Sequence, residues 1–214
     1  RHGYHPRERV RGSCSHPARS NPVCRGRLGI MRTHRTGPET ARLLMRAVEA
    51  RDADAFFALN SHPDVMRFTG EPPLGWIDEA RAAIENYPDF ETVGFGRWAC
   101  VLKATGSFIG FCGLKRLDAL GVVDVGFRFL PEHWGKGLAT EACKASIAFG
   151  FEVLGLERIV GLVLPQNAAS IRVLEKCGLR REGTVGYEGH EAVLYAIRRD
   201  QHAGSPDASP GGDS

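Results

Sequence analysis

Two glycines one residue apart, Gly135 and Gly137, stand between a β-branched run at Val122–Phe129 and a long apolar-periodic stretch that begins near Gly137. Residues of these types in this order build an anion cradle. Glycine lets the backbone curl without Cβ clashes, so successive N–H groups converge on one point. The helix that starts there adds its unpaired first N–H groups and the positive end of its dipole, which favour a phosphate or pyrophosphate. Three readings compete. A triphosphate loop needs Gly, four residues, then Gly-Lys-Ser/Thr; here Gly135-Lys136 is followed by Gly137, and Leu130 stands where the first glycine belongs. A dinucleotide fingerprint needs G-x-G-x-x-G, and Gly135-x-Gly137-x-x-Thr140 supplies two of its three glycines. The third reading is a tight strand-to-helix link that holds no ligand.

The cradle must be held by the elements on either side of it. Residues 40–48 read as a first strand, Asp52 opens an amphipathic segment that stops before Asn60-Ser61-His62-Pro63, and Ile77–Tyr87 reads as a second helix closed by Pro88. Arg97–Lys103 and Phe108–Arg116 flank a short Gly-containing turn and predict a hairpin, which Val122–Phe129 continues. In that strand Val123, Val125, Phe127 and Phe129 share one face, and Val122, Asp124, Gly126 and Arg128 the other. The helix from Gly137 to about Leu154 carries apolar residues at helical spacing and must be largely buried. A strand at Arg158–Leu164, a short helix at Ala168–Cys177 and strands at Arg180–Tyr187 and Ala192–Arg199 follow. Strands before and after a central helix point to an α/β or α+β sheet with a parallel crossover in its middle.

The 214 residues suit one domain with appendages, with 43% hydrophobic and 25% charged residues as in ordinary globular proteins. No run approaches 18 apolar residues, so no membrane span is expected. The net charge of +3 hides an asymmetry: residues 1–30 hold seven Arg and one Glu, which leaves 31–214 mildly acidic. The basic excess thus sits in a Pro/Gly/Ser/Arg-rich arm, and a nucleic-acid partner loses most of its support. We expect a disordered arm at 1–37, a domain at 38–200 and a disordered tail at 201–214. The arm's composition admits an organellar transit peptide, and Met31 is an alternative expected start of translation. None of the six cysteines forms a C-x-x-C pair, Cys14-x-His16 with Cys24 matches no common zinc pattern, and the four in the body read as buried thiols in a reducing, cytoplasmic setting. No metal is expected.

Four places together resemble one family. They are Thr40-x-Arg42-Leu43 with Arg46; Asp52-Ala53-Asp54 leading to His62-Pro63-Asp64-Val65-Met66; Trp134-Gly135-Lys136-Gly137-Leu138-Ala139-Thr140-Glu141-Ala142; and Asn167-x-x-Ser170 leading to Glu175-Lys176-Cys177-Gly178. Over about residues 38–200 the chain is similar to the GNAT superfamily of acyl-CoA-dependent N-acetyltransferases, and within it to the branch of ribosomal-protein alanine N-acetyltransferases. The resemblance implies a mixed central sheet of about seven strands flanked by about four helices. It also implies acetyl-CoA as co-substrate and, as acceptor, a small-molecule amine or a protein N-terminus. A homodimer is a further implication.

By the same resemblance, backbone groups of Phe127, Arg128 and Phe129 face the pantetheine, Gly135, Lys136, Gly137, Leu138, Ala139 and Thr140 seat the pyrophosphate, and Asn167 contacts coenzyme A. The family's usual turn begins with Gln or Arg, and Trp134 takes that place here. Many members carry a tyrosine acid where this chain has Leu174, and Ser170 is the replacement candidate for protonating the leaving thiolate. An amine must lose a proton before it attacks a thioester, so a carboxylate is a candidate base. Asp124 holds that role, against a reading as a paired cross-strand carboxylate, while Glu141 and His133 are weaker candidates. Asn167 also reads as a helix N-cap. An acyl-CoA-binding regulatory module without catalysis is the rival function.

Overall fold

The computed structural model describes residues 32–203. Expectations for residues 1–31 and 204–214, including the start at Met31 and the pair Cys14 and Cys24, lie outside the described residues.

Eight strands form one sheet in the order β1-β2-β3-β4-β5-β6-β8-β7. They are β1 (Thr36–Glu39), β2 (Leu43–Arg46), β3 (Arg97–Leu102), β4 (Ser107–Leu117), β5 (Val122–Phe129), β6 (Arg158–Val163), β7 (Arg180–Tyr187) and β8 (His190–Arg198). All neighbours pair antiparallel except β5 and β6. That parallel pair needs a crossover, which the 15-residue helix Leu138–Glu152 supplies. In chain order the helices are α1 (Ala53–Ser61), α2 (Pro63–Met66), α3 (Ile77–Glu85), α4 (Asp89–Thr92), α5 (Leu138–Glu152), α6 (Ala168–Lys176) and α7 (Arg199–Ala203).

The strand that sequence patterning did not show is β1. Thr36-Gly37-Pro38-Glu39 has little strand propensity, but a Cβ on Gly37 would lie 2.6 Å from the Trp98 ring, so only glycine lets the main chain rest on that indole. Trp98 then donates its indole N–H to His34 O at 2.8 Å. The body therefore begins before the expected boundary at 38, and α7 carries it past 200. The expected strand at 40–48 shortens to Leu43–Arg46.

Helix α5 packs on β4 and β5 over a core that includes Leu114, Val125, Phe129, Ala142, Ile147 and Phe151. Across the sheet, α1 covers Ala99, Val101, Phe108 and Phe111. Arg46 and Asp52 clamp β2 to the start of α1 through two parallel hydrogen bonds of 2.6 and 2.9 Å. Burial raises the Asp52 carboxyl, but those bonds and the Glu49 N–H more than offset it, so the group ionises below its ordinary value. Among the described residues no helix is long and apolar enough to cross a membrane, and all four cysteines are free and buried.

Candidate active site

The parallel ladder between β5 and β6 consists of a single register pair, Asp124↔Val160. Beyond it no further register pair joins the two strands. Leu130 N–H donates to Ile109 O, and antiparallel pairs alternate, so the even residues of β5 bond to β4 while Val125, Phe127 and Phe129 turn their N–H and C=O toward β6. The resemblance implied that backbone groups of Phe127, Arg128 and Phe129 face a pantetheine; Phe127 and Phe129 turn main-chain groups toward the gap, whereas the N–H and C=O of Arg128 face β4. The Phe129 carbonyl is claimed by the Trp134 indole N–H at 2.7 Å. This bond explains a tryptophan at the head of the turn: it ties the strand end to the cradle.

Gly135 and Gly137 both adopt left-handed backbone, with φ of 72° and 76°. Any side chain there would be strained. Gly137 caps α5, and the first intrahelical bond runs from Glu141 N–H to Gly137 O, which leaves the preceding N–H groups of Leu138, Ala139 and Thr140 without intrahelical acceptors. The loop is held from behind. Arg42 donates to Lys136 O at 2.8 Å and to Glu141 Oε2 at 2.6 Å, and Glu141 Oε1 accepts from the Thr40 hydroxyl and the Arg42 N–H. Burial raises the Glu141 carboxyl, yet these donors hold it below its ordinary value. Glu141 is therefore a tether for the cradle, with both oxygens engaged. The Thr40-x-Arg42 motif acquires its physical meaning from this contact, which spans about a hundred residues of chain.

Helix α6 begins at Asn167, whose Oδ1 accepts from Ser170 N–H at 3.1 Å. The cap uses the oxygen and leaves the amide NH₂ to donate elsewhere. Ser170 and Leu174 lie four residues apart on one helix face. Leu174 is buried, with its methyls in the space that a side chain on Gly161 would occupy. The position that carries an acid in many relatives is core here. Among the described residues Ser170 Oγ has no hydrogen-bond partner.

The other face of β5 bears a second constellation. Asp124 is buried, and its carboxylate accepts from Arg97 Nη2 at 2.9 Å and from Leu162 N–H at 3.0 Å. It bridges β5 to β6 where the ladder ends. Burial pushes this carboxyl above its ordinary range, against the pull of Arg97 and the Leu162 N–H. Arg97 reaches it by lying across Gly126, where a Cβ would stand 2.3 Å from Nη2. Arg128 turns its side chain away from the gap, to Asn60 Oδ1 and Glu71 at 2.7 Å each, above the Phe111 ring.

Arg97 and Arg128 line a pocket of about 320 Å³ between the sheet and α1–α4, with Phe56, Asn60, Glu71, Tyr87, Phe90 and Lys115 among its other walls. Its size lies at the lower end for small-molecule sites. Gly70 packs against His190 at the β7–β8 turn. Tyr187 in that turn has its hydroxyl pushed up to about 12 by burial and by Glu188, with a smaller contribution from Asp124.

Spacing alone did not reveal Arg97, Lys115, Asn60 or Glu71. Strand register is what joins Arg97 and Lys115 to Asp124, through the opposed pairs Lys115↔Asp124 and Gly113↔Gly126 and the pairing Arg97↔Gly113, while Asn60 and Glu71 are held to the same face by Arg128. His133 sits half-buried at the end of a single turn before the cradle. No group of three metal-ligating side chains occurs among the described residues.

The comparisons agree with this geometry. The profile of the Acetyltransferase (GNAT) domain matches residues 42–180. An uncharacterized N-acetyltransferase, p20, of Bacillus licheniformis is 34% identical over 173 residues, covering 77% of this chain and 97% of its own. A crystal structure of an acetyltransferase from Agrobacterium tumefaciens superposes with a TM-score of 0.68 at 25% identity, covering 81% of this chain and 99% of the other. The spermidine N-acetyltransferase of Vibrio cholerae, solved with CoA and spermine, shares the fold at 21% identity and a TM-score of 0.64, covering 77% and 99%. Strand gap, glycine cradle and sequence kinship converge: the chain belongs to the GNAT acetyltransferase family, and acetyl-CoA is its co-substrate.

Proposed function

We propose that the protein acetylates the nitrogen of a small primary amine by direct attack on the thioester, within a ternary complex and without a covalent enzyme intermediate. The observation that carries this reading is Arg97, which lines the 320 Å³ pocket and lies across Gly126 to reach the Asp124 carboxylate at the end of the β5–β6 ladder. The main-chain groups of Phe127 fit a pantetheine, and the cradle from Gly135 to Thr140 fits a pyrophosphate. Lys136 adds charge at its rim. In the pocket the acceptor nitrogen approaches from the Arg97 side.

The chain's own groups account for the proton movements. Arg97 and Lys115 flank the approach and disfavour an ammonium, so the amine sheds its proton to solvent and attacks as the free base. Its lone pair forms the C–N bond, and the carbonyl electrons move onto oxygen, which a main-chain N–H at the gap stabilises. Collapse breaks the C–S bond. Ser170 Oγ–H protonates the departing sulfur, and the nitrogen loses its second proton to solvent, from which Ser170 is restored. Asp124 acts in this scheme as a positioning residue that fixes Arg97 and the mouth of the gap. Both of its oxygens are engaged, which argues against the proton-accepting role the sequence offered it.

The modest volume of about 320 Å³ favours a small acceptor over the protein N-terminus implied by the branch resemblance. The reading is tested by coenzyme A release from acetyl-CoA across a panel of peptides, polyamines, amino acids and aminoglycosides, with mass spectrometry of the product. An increment of 42 Da, the mass of an acetyl group replacing a hydrogen (about 42 by atomic masses), on a small amine is expected. Acetyl-CoA binding without turnover on any amine refutes it and leaves the regulatory module.

A further inference from the structure

We propose that the acceptor carries an acidic oxyanion, a carboxylate or a phosphate, besides its amine, and that Lys115 holds it on the pocket floor. This inference rests on the reading of the 320 Å³ pocket as the acceptor site. The floor is three adjacent rows of the sheet: Lys115 opposite Asp124, Arg97 lying over the Gly113–Gly126 pair, and Arg128 beside Phe111. Three cations stand there against one carboxylate of the sheet.

Counted with the walls the formal charges are equal, Arg35, Arg97, Lys115 and Arg128 against Asp124, Glu71, Glu85 and Glu91, but the pairing leaves Lys115 without an acid of its own on the floor. Glu71 is paired with Arg128 and Glu91 with Arg35, at 2.7 Å each. Glu85 lies exposed at the end of α3. Arg97 commits only Nη2 to Asp124; its Nη1 has no acceptor among the described residues, and its Nε is buried without one. Half-buried Lys115 has no ion-pair or hydrogen-bond partner among the described residues. The strand pairing puts Lys115 on the same face as Asp124, so its charge and that of Arg97 flank one carboxylate that can neutralise only one of them.

A polyamine would bring more positive charge onto this floor and find Glu71 and Glu91 already paired, with Glu85 at the exposed end of α3 the one wall carboxylate without a partner among the described residues. An amine with an oxyanion supplies the missing negative charge, and Phe56, Phe90 and Phe111 offer apolar surface to the skeleton between the two groups. The floor cations then serve twice, binding the oxyanion and keeping the amine neutral.

The test uses matched acceptors with purified protein and acetyl-CoA: phenylalanine against phenethylamine, 2-aminoethyl phosphate against ethanolamine, and spermidine. The anion-bearing member of at least one pair should exceed its neutral partner in kcat/KM by about 10- to 100-fold, as expected for a charge-assisted pair. Which pair responds distinguishes carboxylate from phosphate. Lys115→Met should cut that ratio by about 10-fold, and Lys115→Arg should restore it. Preference for spermidine or for the neutral partners overturns the inference, as does an unchanged ratio in a Lys115→Met protein that melts like the parent. If no amine is acetylated, the functional reading fails, and the inference is judged by calorimetry with N-acetylphenylalanine and phosphoserine in the presence of coenzyme A. Binding that Lys115→Glu weakens 10-fold or more sustains it; equal binding, or none, overturns it.

Discussion

Replacing Arg97 with methionine keeps the aliphatic stem and removes the charge that faces Asp124. The Asp124 side chain is 8% exposed and Arg97 22%, and they are 2.9 Å apart. Removing one partner of such a pair leaves a buried charge uncompensated, at a cost of roughly 3–5 kcal/mol. Partial exposure of Arg97 and the surviving bond from the Leu162 N–H place the expected loss at the lower end, about 3 kcal/mol. For a domain of this size that lowers Tm by roughly 6–12 °C. The pH dependence identifies the cause. In the native protein burial already holds the Asp124 carboxyl above its ordinary value despite Arg97. Without Arg97 it rises further, so between the unfolded value near 4 (about 3.9 for aspartate) and the new folded value the native state binds more protons than the unfolded one. Stability relative to the parent must therefore fall as pH rises through that window. Urea melts of both proteins at pH 5 and pH 8 should show a deficit near 3 kcal/mol at the higher pH, shrinking by more than half at the lower (an estimate of about that size follows from neutralising the charge). The double variant Arg97→Met/Asp124→Asn should recover most of the loss at pH 8. A deficit equal at both pH values, and unrelieved in the double variant, would refute the reasoning.

Gly126→Ala should act through the same pair, because its Cβ would stand 2.3 Å from Arg97 Nη2; its melts should show the pH-dependent deficit of Arg97→Met in weaker form. Gly137→Val forces a β-branched residue into φ of 76°, and the KM for acetyl-CoA should rise about 10-fold or more while the acceptor KM changes little. Arg42→Ala releases both Lys136 O and Glu141, so it should raise the same KM by roughly the same factor without touching the glycines. Ser170→Ala should lower kcat by about 100-fold, with acetyl-CoA affinity measured by calorimetry unchanged. A parallel loss of both would make Ser170 part of the binding surface instead.

The cradle was legible in the chain because its requirements are local: two glycines, a strand before and a periodic helix after fix where donors converge. The same holds for seven of the eight strands, whose apolar runs and turn residues carry their own signal. Asn167 showed its cap in the same way. The functions of Thr40, Arg42 and Arg46 were not visible as physics, since their partners Glu141, Lys136 and Asp52 meet them only after folding. Strand β1 escaped notice because its cause is an indole sixty residues away.

By itself the sequence determined the fold class and the place of the glycine turn, set by patterns within short windows, while the co-substrate followed from the resemblance of four motifs to one family. It also offered Asp124, but not what Asp124 does. That was decided by register. Gly113, placed opposite Gly126, opens a lane in the sheet through which Arg97 reaches the carboxylate, and Lys115 is set beside it on the same face. A pairwise Coulomb interaction depends on distance in space, which spacing along the chain does not encode between strands. The charge of the pocket is accordingly a property of the assembled sheet.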